Sequence, residues 1–397
     1  MNLSHLPSGL AVELQALGPF LSFLNNSRWA ERAGQPGISD FVLGNPHDAV
    51  LPGFTRALER AIPPQTNSWH AYPMSDPRAC EVAAHSLSEQ TGMTFDPADF
   101  VLTNGAFTGL LIALQSVVEP GDEVIYISPP WFFYASFIRR VGGIPVSVSI
   151  DWEQFDIDLA AIEAAITPRT RAIIVNSPHN PTGRVFSAET LRELAALLTR
   201  ASEQNGRSIA IISDEAYRRI LFDGRSCPTP SEFYPHTFVV YTYGKTLLTP
   251  GERIGFVALA PGFPDPESAR AGLAVAQVLT GYGFPNALLQ HALADLDREI
   301  IDLAFLQEKR DRMVGGLRAA GYRTSEPEGT FYLVVESPVP DEAEFADRLA
   351  DDDVFVLPGA IFDAPGYFRI SLTATMEMIE RALPVFAAAN AEVRAKA

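Results

Sequence analysis

Of the 30 basic residues in this 397-residue chain only three are lysines, Lys245, Lys309 and Lys396. Lys309 stands in a charged helical pattern and Lys396 in the C-terminal tail, so both read as solvated surface. Lys245 follows the apolar run Thr237–Tyr241 and precedes Thr249-Pro250-Gly251, a poor place for a solubilising charge. An amine can lose its proton and act as a nucleophile, which a guanidinium cannot do. Lys245 either does that chemistry or is an ordinary loop lysine, and its own stretch does not separate the two.

Other residues invite the same question. Asp214 directly follows Ile209–Ser213, and a carboxylate there is costly to bury unless a cation or donor meets it; a helix N-cap is the plainer explanation. Arg253 comes eight residues after Lys245, and Arg369 lies inside the apolar run Tyr367–Ser371. An arginine in such a strand points to a bound carboxylate or phosphate, or to a structural salt bridge. Gly105-Ala106-Phe107 opens a helical pattern; it is either a tight turn or a set of free amides at the positive end of a helix dipole, suited to a phosphate. Trp131 after Pro129-Pro130 reads equally as core.

The elements that must position these groups have a βαβ texture. From about Phe100 onward, short apolar runs alternate with helical patterns, which predicts a mainly parallel sheet flanked by helices. Ligands of open α/β sheets collect at the carboxyl ends of the strands. Phe100–Leu102 ends at Thr103-Asn104-Gly105-Ala106-Phe107, Glu123–Ser128 at Trp131, Ala172–Val175 at Asn176 to Gly183, Ile209–Ser213 at Asp214 to Tyr217, and Thr237–Tyr241 at Thr242 to Lys245. Phe256–Leu259 reads as a further strand. A glycine turn, an indole, an amide, a carboxylate with a phenol, and a lysine would then face one crevice, a set hard to explain as packing.

The flanks are expected to form a smaller α+β domain from both termini, residues 1–47 and 292–397, beside a large domain of residues 48–291. Residues 1–47 read as a strap, with an amphipathic pattern over Leu10–Leu24, a short strand at Phe41-Val42-Leu43 and a turn at Gly44-Asn45-Pro46. Gly53–Ala61, Ala269–Leu279, Asn286–Ala319, Glu342–Ala350 and Met376–Ala389 read as helices, the third long enough to bridge two domains. Thr330–Val335 and Tyr367–Leu372 carry strand signals.

With 47% hydrophobic and 20% charged residues the chain can bury a large core. Its formal charge of -18 argues against nucleic acid or an anionic membrane as partner. Cys80 and Cys227 stand far apart without metal-ligand spacing, no histidine pair suits a metal, and neither a signal peptide nor a membrane span is indicated. The expectation is a cytoplasmic protein without a metal. No G-x-G-x-x-G follows any strand, which disfavours a dinucleotide.

Together, Asn180-Pro181-Thr182-Gly183, Ser213-Asp214-Glu215-Ala216-Tyr217, Lys245 with Arg253-Ile254-Gly255, and Phe368-Arg369-Ile370-Ser371 resemble the class I and II aminotransferases, pyridoxal 5'-phosphate enzymes of the aspartate aminotransferase fold (fold type I). The resemblance runs from about Gly44 to Thr373. It implies that Lys245 forms a Schiff base with the cofactor aldehyde and then shuttles the substrate proton. Asp214 would keep the ring nitrogen protonated, Tyr217 and Asn180 would bond the ring O3', and Trp131 would stack on the ring. Gly105, Ala106, Phe107, Thr242 and Arg253 would hold the phosphate. Arg369, with Gly44 and Asn180 beside it, would take the substrate carboxylate. Tyr72 in His70-Ala71-Tyr72-Pro73 would reach the phosphate of a neighbouring subunit, implying a homodimer with shared sites.

Departures from the family pattern bear on substrate. Ser75-Asp76-Pro77 stands where a glycine is usual after Tyr72, and Phe107 and Gly244 replace residues that often carry hydroxyls. Members that use aspartate read its side-chain carboxylate with a cation; here Phe107 occupies one such position and the uncharged Leu279–Pro285 lies near the other. The expectation is an amino acid with a neutral, apolar or aromatic side chain, exchanging its amino group with a 2-oxo acid, helped by Phe20, Phe23 and Trp29 of the strap. A lyase, oxidase or decarboxylase on the same scaffold is the alternative, because cofactor-holding residues do not fix which bond breaks. A non-catalytic homologue would be expected to lose Lys245 or Asp214, and both are present.

Overall fold

The computed structural model describes residues 5–396, with the Lys396 side chain outside the described residues. Its strands are β1 (Ser39–Asp40), β2 (Phe100–Thr103), β3 (Glu123–Ser128), β4 (Ile144–Ser149), β5 (Thr170–Asn176), β6 (Ala210–Asp214), β7 (Thr237–Thr242), β8 (Gly255–Leu259), β9 (Tyr332–Glu336), β10 (Val354–Phe355), β11 (Leu357–Pro358) and β12 (Tyr367–Ser371). Seven of them form one sheet in the order β2-β8-β7-β6-β5-β3-β4. All neighbours are parallel except β8, which runs antiparallel to both β2 and β7. Strands β3, β7 and β8 are buried at every position, as a sheet covered by helices on both faces requires. The carboxyl ends of β2, β3, β5, β6 and β7 therefore open along one edge.

Helix Gly105–Val117 packs on one face against Val240 and Val257, and helix Ala188–Asn205 on the other against Ile173 and Ile211. A second sheet, β11-β12-β9, is antiparallel and packs with helices Leu303–Ala319, Glu342–Ala350 and Met376–Lys396 around Phe345, Phe368 and Phe386. No helix among the described residues is long and apolar enough to cross a membrane.

Four local expectations are corrected. The edge strand β4 has no continuous apolar run to announce it, because Pro145, Ser147 and Ser149 alternate with Ile144, Val146 and Val148, of which only Val148 is buried. Phe41-Val42-Leu43 is not a strand. The pairing is Ser39–Asp40 with Val354–Phe355, and the chain then bends as the Asp40 carboxylate accepts from the Val42 amide at 3.0 Å. Asn286–Ala319 is three helices, Ala287–His291, Leu293–Leu296 and Leu303–Ala319. The last is restarted by Asp302, whose side chain caps the Phe305 amide, so no single helix spans the stretch.

The fourth correction concerns Lys309, which is only 2% exposed rather than solvated. Its ammonium is paired with Asp48 and lies 4.8 Å from the centre of the Phe305 ring. Helical periodicity shows that Lys309 shares a face with buried Leu306 and Met313, but the partner lies 261 residues away. Lys309→Ala is expected to lower unfolding free energy by about 2–3 kcal/mol, somewhat below the cost of breaking a fully buried pair because Asp48 keeps access to water. Urea denaturation reads this directly, and a loss under about 0.5 kcal/mol, typical of an exposed pair, would contradict it.

Candidate active site

A cavity of about 290 Å³ lies over the carboxyl ends of β2, β3, β5, β6 and β7. Its walls include Gly44, Ala106, Phe107, Trp131, Asn180, Asp214, Tyr217, Thr242, Lys245, Arg253 and Arg369. Residues chosen from five separate strand ends and from β12 thus meet in one place. Gly105 stands at its rim against Arg253. Tyr72 stays away from it: it is 87% exposed and its ring sits 5.2 Å from that of Phe284.

Lys245 is held on a single helical turn, Tyr243–Thr246, that starts where β7 ends. The turn is fixed from three sides. The Tyr243 amide donates to Ile254 O at 3.1 Å, the Thr249 amide to Gly244 O at 3.0 Å, and Tyr241 Oη meets Thr246 Oγ1 at 2.7 Å. The amine lies 5.7 Å from the centres of both the Tyr217 and Phe331 rings.

Asp214 ends the central strand β6, 6% exposed. Its Oδ2 accepts from Tyr134 Oη at 2.6 Å and its Oδ1 from the Ala216 amide at 3.3 Å; a turn rather than a helix follows, so Asp214 is not a helix N-cap. Burial raises its carboxyl to about 6, against the lowering effect of Tyr134, the Ala216 amide and Lys245. A carboxylate so desolvated favours any cation brought to it.

From Asp214 a chain of hydrogen bonds crosses the cavity floor. Asn176 Nδ2 donates to Asp214 O at 2.8 Å, the Asn180 amide donates to Asn176 Oδ1 at 2.8 Å, and Arg369 Nη1 donates to Asn180 Oδ1 at 3.2 Å. Arg369 Nη2 donates to Val42 O at 3.0 Å, and its Nε is buried without a partner among the described residues. Arg369 is 3% exposed, and burial lowers its pKa.

At the other end Gly105 starts helix Gly105–Val117 with φ +77°. Its N-cap Asn104 offers no side-chain cap, so the first helical amides are left for another acceptor. A Cβ on Gly105 would fall 2.6 Å from Arg253 Nη2, so close approach and backbone conformation both require glycine there. Among the described residues Arg253 donates only to Pro250 O, at 2.8 Å, and burial lowers its pKa.

Three cations therefore line the cavity of a chain whose formal charge is -18, and among the described residues none of the three is in a salt bridge. Buried charges are normally paired, so the site is built for anions. The amides at Gly105 with Arg253 suit a phosphate, Asp214 suits a protonated ring nitrogen, and Arg369 with its open Nε suits a carboxylate. The residues present fit pyridoxal phosphate and an amino or oxo acid.

A model of the family "Aminotransferase class I and II" matches residues 41–386. The chain belongs to the class I and II aminotransferases. These enzymes use pyridoxal 5'-phosphate, and the aspartate aminotransferase fold expected from the sequence is the one found. The aspartate/prephenate aminotransferase of Thermus thermophilus is 32% identical over 96% of this chain and 98% of that protein. A probable N-succinyldiaminopimelate aminotransferase of Mycobacterium tuberculosis is 31% identical over 89% of this chain and 88% of its own. Among solved structures, an aminotransferase from Eubacterium rectale superposes with a TM-score of 0.87 at 30% identity, covering 98% of this chain and 96% of that one. The Thermus thermophilus aspartate aminotransferase with maleate gives 0.78 at 29% identity, covering 96% of each chain.

Within this aminotransferase the strap residues divide. Phe20 stacks on the cavity residue Phe132 with ring centres 4.3 Å apart, whereas Phe23 and Trp29 stack on each other in a separate groove against Phe355 and Ile361. Sequence reasoning missed Tyr134, Asn176, Phe132 and Tyr332. Asn176 stood in a strand-end stretch already singled out, and the aromatic run Trp131-Phe132-Phe133-Tyr134 was a signal read only at its first residue.

Proposed function

We propose that this aminotransferase acts on amino acids with a neutral, apolar or aromatic side chain and passes the amino group to a 2-oxo acid. One observation carries the reading. Each cation of the cavity has a task near the reacting centre, and the rest of the wall, which includes Leu43, Phe107, Leu110, Trp131 and Phe132 beside the uncharged Asn45, holds among the described residues no fourth cation for a side-chain carboxylate. Burying an unpaired carboxylate against those rings costs several kcal/mol, on the order of its desolvation penalty. The names of the relatives include aspartate as well as prephenate, so the two substrate classes are open to direct comparison.

In this reading, bound pyridoxal phosphate supplies an electron-withdrawing ring that accepts the electron pair released at the substrate Cα. Lys245 binds the cofactor through its amine and takes and returns the Cα proton. Asp214, oriented by Tyr134, keeps a proton on the ring nitrogen. Tyr217 and Asn180 would bond the ring oxygen, Trp131 would pack against the ring, and Gly105, Ala106, Phe107, Thr242 and Arg253 would hold the phosphate. Arg369, with Asn180 and Gly44, would hold the substrate carboxylate.

A spectrophotometric screen of amino donors against the purified enzyme tests this. Phenylalanine, leucine or another neutral donor is expected to convert the cofactor absorbance fastest, with release of the matching oxo acid. Faster conversion by aspartate or glutamate overturns the substrate reading, and release of ammonia, hydrogen peroxide or carbon dioxide overturns the reaction type.

The same reading includes a cytoplasmic homodimer built from the large and smaller domains expected above. Supporting the dimer, Tyr72, Val278, Leu279, Tyr282 and Phe284 are all more than half exposed, and Tyr282 and Phe284 line a groove with Arg253 and Phe107. Exposed apolar side chains grouped in this way mark interaction surfaces. Sedimentation at micromolar concentration is expected to give twice the 43.2 kDa chain mass, and a monomer there excludes shared sites.

A further inference from the structure

We propose that Tyr332 is the positioning residue that aims Arg369 at the substrate carboxylate, and that residue 44 is glycine to make room for the Tyr332 hydroxyl. This rests on the reading of Arg369 as the carboxylate grip. In the antiparallel pair β9–β12, Arg369 is opposite Val334 and Ser371 opposite Tyr332, so Arg369 and Tyr332 are diagonal neighbours on one face. Diagonal neighbours touch when one is aromatic and the other long. Here the guanidinium carbon lies 4.1 Å from the centre of the Tyr332 ring.

The two hydrogen bonds of Arg369, to Asn180 Oδ1 and Val42 O, lie in the guanidinium plane and fix its rotation within that plane. They do little to fix its tilt. The ring stacked beneath it does, and for a cation removed from water it also replaces part of the lost hydration. Phe362 approaches as well, but at 5.9 Å it is no platform.

The hydroxyl end of Tyr332 fills the space beside residue 44. A Cβ on Gly44 would fall 2.2 Å from Tyr332 Oη and 3.2 Å from its Cζ. Gly44 is not among the residues with positive φ, so the backbone would accept alanine and only the space forbids it. Removing the hydroxyl would leave ring contacts of 3.0 Å to Phe331 and 3.2 Å to residue 332, tight but open to small shifts.

The test measures binding of 3-phenylpropanoate, a carboxylate without an amino group, and of its neutral amide to the holoenzyme by calorimetry. Arg369→Ala is expected to raise the carboxylate Kd at least about 30-fold. Tyr332→Met, which keeps bulk but no ring, should raise it about tenfold while leaving the amide Kd nearly unchanged, and Tyr332→Phe should stay within about threefold. Gly44→Ala should weaken carboxylate binding about tenfold, and adding Tyr332→Phe to it should restore most of the loss. No effect in Arg369→Ala overturns the carboxylate grip itself. With that effect present, an unchanged carboxylate Kd in Tyr332→Met, an equal loss for carboxylate and amide, or a loss in Tyr332→Phe as large as in Tyr332→Met overturns the role of the ring. Failure of Tyr332→Phe to rescue Gly44→Ala overturns the role of residue 44.

Discussion

Lys245→Ala is expected to lower turnover of the best amino donor by at least about 10⁴-fold, because in the proposed mechanism it removes both the covalent amine and the group that moves the Cα proton. The turn that carries Lys245 is fixed by backbone bonds at Tyr243 and Thr249 and by the Tyr241–Thr246 contact, none of which uses the Lys245 side chain. Thermal unfolding of the cofactor-free variant should therefore match the parent within a few degrees, while the visible absorbance of the lysine-bound cofactor disappears. Steady-state turnover above about one hundredth of the parent would exceed what water alone supplies in place of a catalytic base, and would remove Lys245 from the mechanism.

The second large effect belongs to Asp214. Asp214→Asn keeps the size and one acceptor for Tyr134 but cannot hold a proton on the ring nitrogen by charge. Turnover is expected to fall roughly 10²- to 10³-fold, as when one preorganised electrostatic partner is removed from a buried site. The same substitution has a signature without cofactor. In the folded cofactor-free protein, burial raises the Asp214 carboxyl to about 6, against about 3.9 in an unfolded chain. The folded state then holds this proton more tightly, so the contribution of Asp214 to stability is full below about pH 4 and is lost as pH rises through about 6. The difference in melting temperature between the cofactor-free parent and Asp214→Asn should change across that window and level off above it. Parallel curves from pH 4 to 7 would mean that Asp214 is better solvated than its 6% exposure indicates.

Several functional groups were legible because their residue types conflict with their local pattern. Lys245 at the end of an apolar run, Asp214 after five strand residues and Arg369 inside a strand each carry a burial cost that only a partner or ligand can offset. The parallel sheet was legible for a related reason. Strands covered on both faces read as short continuous apolar runs, and a parallel sheet brings their carboxyl ends together whatever the loop lengths. In β4, where Pro145, Ser147 and Ser149 alternate with the apolar residues, that signal fades.

By itself, then, the sequence determined the family, the sheet and the set of charged groups that must meet at its edge, since these follow from burial costs that each segment carries alone. The tertiary structure decided who meets whom. The Tyr134 phenol that holds Asp214 comes from 80 residues away, the Val42 carbonyl on Arg369 from 327 and the Asp48 partner of Lys309 from 261. Periodicity shows which face of an element is covered but not by what, because the covering element is set by the packing of the whole chain. For the same reason Phe20 reaches the cavity through Phe132 while Phe23 and Trp29, a few residues on in the same strap, do not.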